Sequence, residues 1–201
     1  MPAVRSGLLE VVNDAYPETF AGVTPTKPLG EDVFSGPTPH PNEVLNLFVR
    51  QKLTSALPIA YYFAARRGVD SLMAEHLPQS ATLPPQVLRS ATKGFIALRE
   101  LELNETHRLV LNSNTSHSPV TCPSRKTTGQ GVTDADRRVI DQITGFSRSG
   151  TKVLEVLSLS ELCGVDSGGF CTNCITAWEA GHLEVRKRAW GMLPKVFGLS
   201  G

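Results

Sequence analysis

Apolar residues recur at helical spacing in several separated stretches of this chain, and the longest signal lies at its C-terminal end. Between Phe170 and Leu199, the residues Cys171, Cys174, Ile175, Trp178, His182, Val185, Ala189 and Met192 follow one another at steps of three and four. At 3.6 residues per turn that spacing puts them on one face of a helix, with Cys171-x-x-Cys174 at its head. A second long helix is predicted from Pro84-Pro85 through Val87, Leu88, Ala91, Phe95, Leu98 and Leu101, reaching about Leu109. Upstream, Asn42 is placed to cap a helix whose broad apolar face runs Val44, Leu45, Leu47, Phe48, Val49 up to about Leu53. Pro58 suits the first turn of the next helix, which carries Ile59, Tyr62, Phe63 and Ala64 and stops at Gly68 after Arg66 and Arg67. A short helix is expected over Asp70 to His76.

Two further helical signals are shorter. Leu8, Leu9, Val11 and Val12 fit one or two turns ending before Tyr16-Pro17, because a residue that precedes proline is driven out of the helical region. Thr133 with Asp136 resembles a capping box, and Val139, Ile140, Ile143 and Phe146 continue from it to about Gly150. From Val153 to Leu162 the weak alternation fits either a strand or a helical turn.

Between the periodic stretches lie two that forbid regular structure. From Tyr16 to Pro41 there are prolines at 17, 25, 28, 37, 39 and 41 and glycines at 22, 30 and 36, which remove backbone donors and fix φ repeatedly. Residues 112–132 are rich in Ser, Thr, Asn and Gly without apolar periodicity, as expected of a flexible loop. The predicted organisation is mainly α. A short helix and proline-rich arm over 1–41 precede an irregular helical bundle over 42–201, which ends in a long C-terminal helix.

Composition narrows the function classes. The 201 residues carry 20 Lys and Arg against 19 Asp and Glu, a formal net charge of +1. That balance removes the electrostatic term that dominates nonspecific nucleic-acid affinity, so no nucleic-acid partner is expected. The longest apolar run, Ala56 to Ala65, is about half the roughly 20 residues a membrane span needs, and no membrane partner is expected. The first residues lack the apolar stretch of a secretory signal. An intracellular location, cytoplasmic or nuclear, follows as the expectation, with the four cysteines kept reduced unless a metal holds them.

Those cysteines carry the chemistry worth weighing. Zinc sites take four ligands, commonly as two close pairs, whereas here one close pair, Cys171 and Cys174, stands with Cys163 just before a Gly-rich loop and with the distant Cys122. His182 is eight residues beyond Cys174, about 12 Å along a helix, too far to ligate with that pair. The opposing reading packs Cys171 and Cys174 as small hydrophobes under Trp178. A third makes them a thiol-disulfide pair with thiolate character conferred by a helix N-terminus, but such pairs follow a strand in a βαβ unit and the surroundings here are helical. His76, His107 and His117 have no acid or nucleophile at a suggestive spacing. Arg186, Lys187, Arg188 and Lys195 read as a basic helix end favoured by the dipole, and Trp178 and Trp190 as core anchors.

The run from Cys171-Thr-Asn-Cys174 through Trp190-Gly-Met-Leu-Pro194 to Phe197-Gly198-Leu199 resembles the C-terminal end of the BTB/POZ-domain-containing proteins of mushroom-forming fungi. Leu8-Leu9 to Tyr16-Pro17, Pro41 to Val49 and Ala56-Leu57-Pro58 resemble the region that follows the BTB core in those proteins. A BTB core takes on the order of 100 residues, and only a few precede Leu8. The resemblance therefore implies the helical extension without a complete core, so the family's core-based dimerisation and cullin-ligase recruitment have no residues here to carry them. What it implies is a protein-interaction or scaffold module without catalysis, acting on a protein partner or by self-association. A broad apolar face over Val44 to Val49 is the expected site of a partner-seeking patch. The alternatives are a zinc-stabilised module on Cys163, Cys171, Cys174 and Cys122, and an oxidoreductase at Cys171 and Cys174.

Overall fold

A computed structural model describes residues 40–74, 77–111, 151, 153–155 and 171–199. Their fold is mainly α, and no strand occurs among them. The helices are α1 Pro41–Gln51, α2 Leu57–Ala65, α3 Val69–Leu72, α4 Pro85–Leu111 and α5 Thr172–Val196, with a 3-10 turn at Gln79–Ala81. The short helix expected near Leu8, the proline-rich segment before His40, the loop at 112–132 and the helix from Thr133 to Gly150 lie outside the described residues. Two compact units are formed, one from residues 1–97 and 190–201, the other from 98–189.

In the first unit α1 begins two residues earlier than its sequence suggests. His40 is the N-cap, in extended conformation, because Pro41 has no N–H to lose at the first helical position. The His40 Nδ1 accepts from the Asn42 N–H at 3.3 Å, and the Glu43 carboxylate accepts from the His40 N–H at 3.1 Å. Asn42, expected as the cap, is instead buried inside the first turn and donates its Nδ2 to the Leu72 carbonyl at 3.5 Å. Asn46, one turn on, donates from Nδ2 to the Ser80 and Thr82 carbonyls at 2.8 and 2.9 Å, which fixes the 3-10 turn beside α1. The Ser80 hydroxyl donates to Glu43, and this bond, followed by the His40 N–H, holds the Glu43 carboxyl below its usual range. Helix α1 ends at Lys52, whose left-handed φ of 54° returns its N–H to the Phe48 and Val49 carbonyls.

The core of this unit is built on α2. Ile59 through Ala65 are all buried, so α2 is apolar round its whole circumference and is surrounded, not merely covered on one face. Val44, Leu45 and Phe48 of α1 are buried with it. The face expected to seek a partner over Val44 to Val49 is thus mostly filled from within, with Leu47 its exposed member. Gly68 closes the turn after α2 with its N–H on the Ala65 carbonyl, and α3 is only one turn, ending at Leu72. Val87, Ala91 and Phe95 of α4 and Leu193 of α5 complete the interior. Phe197, beyond the last turn of α5, is fully buried and stacks on Tyr61 with ring centroids 5.1 Å apart. The left-handed Gly198, φ 71°, turns the chain there, and the Leu199 N–H returns to the Pro194 carbonyl at 2.7 Å.

The second unit takes the C-terminal half of α4 and most of α5. Its described core is Leu98, Val153, Leu154, Trp178, Val185 and Ala189. Gly181 leaves room on α5 for Leu109, whose Cδ2 would lie 2.5 Å from an added Cβ. Residues 153–155, which the sequence left open between strand and helix, form turn and bend.

Candidate functional site

The C-terminal helix holds the residues on which any chemistry would depend, and its burial pattern differs from the expected stripe at both ends. Cys171 directly precedes α5, its carbonyl accepting from the Ile175 N–H at 3.2 Å, and it is half-buried, as is Ile175. Full burial begins at Trp178 and continues through His182, Val185, Ala189, Leu193 and Phe197. Cys171 therefore lies at the margin of the buried line, which starts two turns further on at Trp178. At the other end Leu193 is buried and the expected Met192 only half so. Successive steps of four each advance the line about 40° round a helix of 3.6 residues per turn, and this drift brings Leu193 inward.

Arg186 corrects the sequence reading most sharply. It is not part of an exposed basic end: it is 4% exposed, and its Nε donates to the Leu154 carbonyl at 2.8 Å. Its position four residues beyond His182 and eight beyond Trp178 was the available signal, since those intervals return to the same face. Its neighbours do remain at the surface, Lys187 paired with Glu184 at 2.8 Å and Arg188 with Glu105. The exposed Lys187–Glu184 pair contributes less than about 1 kcal/mol. Glu105 also accepts from Arg108 at 2.8 Å. Glu102, one turn past Leu98 on the buried side of α4, and Thr151 are further buried polar residues of the unit that periodicity in apolar residues does not reveal.

His182 stacks on Trp178, with centroids 5.4 Å apart and planes 14° from parallel. Burial, followed by the Arg186 charge, depresses its pKa to about 4, so the imidazole is neutral at pH 7. The stability consequence has a definite sign. The unfolded chain takes up a proton near pH 6.5 that the folded chain refuses until about pH 4, so this contribution is complete above pH 6.5 and is lost as pH falls towards 4. Urea titrations at pH 7 and pH 4.5 should differ by on the order of 2–3 kcal/mol more for the wild type than for His182→Phe, which keeps a ring against Trp178 without a titrating group. Equal pH dependence in the two proteins would contradict this account.

The predicted metal ligands are only partly placed. Cys171 stands just before α5 and Cys174 in its first turn, whereas Cys122, Cys163 and the Cys174 side chain lie outside the described residues, as do His76, His117 and the His107 side chain. Among the described residues, no three His, Cys, Asp or Glu side chains are grouped so as to hold a metal ion. His182 lies two turns beyond Cys174 on one continuous helix and stays with Trp178. No helix of the described residues is long and apolar enough to cross a membrane. No protein-family model, curated protein or solved structure matches this chain.

Proposed function

We propose that the chain is a non-catalytic protein-interaction or scaffold module, related to the helical extension of fungal BTB/POZ proteins that its sequence resembles. The observation that carries this reading is where the buried polar side chains direct their bonds. Asn42, Asn46 and Arg186 all reach across to backbone carbonyls of distant segments, at Leu72, at Ser80 and Thr82, and at Leu154. Such bonds fix the path of the chain, and buried polar groups satisfied in that way rigidify and specify a unique packing. The surface offers apolar side chains on separate elements of the first unit, Leu47, Met73 and Ile96, of which Met73 is 60% and Ile96 50% exposed.

The purified chain is expected to enhance the fluorescence of a hydrophobic dye and to self-associate or bind a protein partner through that unit. Met73→Lys and Ile96→Lys, both at exposed positions, should lower the dye signal at least severalfold while leaving the helical circular dichroism intact. A strictly monomeric chain that binds no dye would defeat the proposal.

A zinc-stabilised module using Cys163, Cys171, Cys174 and Cys122 is the second reading, favoured by Cys171 standing just before α5 and Cys174 three residues on in its first turn. Elemental analysis of protein purified without a metal-affinity step separates the two. The interaction reading alone expects zinc far below one equivalent per chain, and a stoichiometric content lost on Cys171→Ser would establish the metal.

A further inference from the structure

We draw no further inference here: the strongest candidate, the buried side-chain pair His182 and Arg186 of the second unit, rests on the lowered basicity of one imidazole and on a guanidinium already bonded to the Leu154 carbonyl, and nothing in the structure shows a ligand for it.

Discussion

Replacing Gly94 with alanine is expected to destabilise the protein by about 1–2 kcal/mol, the reverse of what the same change does in an open helix, where alanine gains about 1 kcal/mol. Gly94 lies in the middle of α4. A Cβ built there would stand 2.0 Å from Cε1 and 2.1 Å from Cδ1 of Phe197. The obstacle is an aromatic ring, not the free end of a flexible chain. Phe197 is 1% exposed and backed by Tyr61, so the ring has no empty space into which to move. Gly191, in α5, provides the control, because nothing lies within 4 Å of its added Cβ. Gly191→Ala should therefore raise the urea midpoint and Gly94→Ala lower it. Truncating the ring tests the cause. Phe197→Ala alone should cost about 3–5 kcal/mol, but adding Gly94→Ala to it should cost little more, since the clash has gone. Stabilisation by Gly94→Ala in the intact chain, or simple additivity in the double variant, would show that the ring does not occupy that notch.

The helices of the described residues were legible because their signals are local. Pro58 at the start of α2, Gly68 after it and Pro85 at the start of α4 act on the backbone of their own turn, and each stands where sequence placed it. The α1 cap was missed for a similar local reason. Asn42 is the better capping residue by propensity, but Pro41 fits the first helical position and His40 with Glu43 completes the reciprocal bonds, leaving Asn42 free to face Leu72. What sequence did not disclose is tertiary. That Asn46 bonds the carbonyls of Ser80 and Thr82 depends on a 3-10 turn more than thirty residues away, which has no periodicity of its own.

The candidate site shows the same division. Trp178, His182, Val185 and Ala189 were readable as one face and are all buried. The thiols at the head of that face drew attention because their spacing is a motif, yet Cys171 stands only half inside. Arg186 was overlooked because a charged residue within a basic run is usually solvated. Its burial follows from an acceptor, the Leu154 carbonyl, that no pattern within α5 could reveal.

Arg186→Ala should accordingly be among the more damaging single changes in the second unit, losing a hydrogen bond to a charged group, about 1.5–3 kcal/mol, together with the packing of the buried stem. Leu154 is fully buried, so its carbonyl would lose the Nε donor without gaining bulk water in exchange. Arg186→Met separates volume from bonding, since it fills much of the same space but donates nothing. It should recover the packing part of the loss and leave about 1.5–3 kcal/mol for the lost charged hydrogen bond. Arg186→Lys keeps a cation, but its single ammonium on a flexible stem replaces a rigid planar donor, so it too should fall short of wild type. A merely space-filling side chain would let Met restore full stability. The electrostatic role has its own readout in the neighbouring imidazole. The charge of Arg186 is the second cause, after burial, of the low His182 pKa. In Arg186→Met the NMR titration midpoint of His182 should rise from about 4 towards 6.5 without reaching it, because burial continues to oppose the charged form. An unchanged midpoint in a folded Arg186→Met protein would mean that the guanidinium does not lie close enough to the His182 ring to act on it.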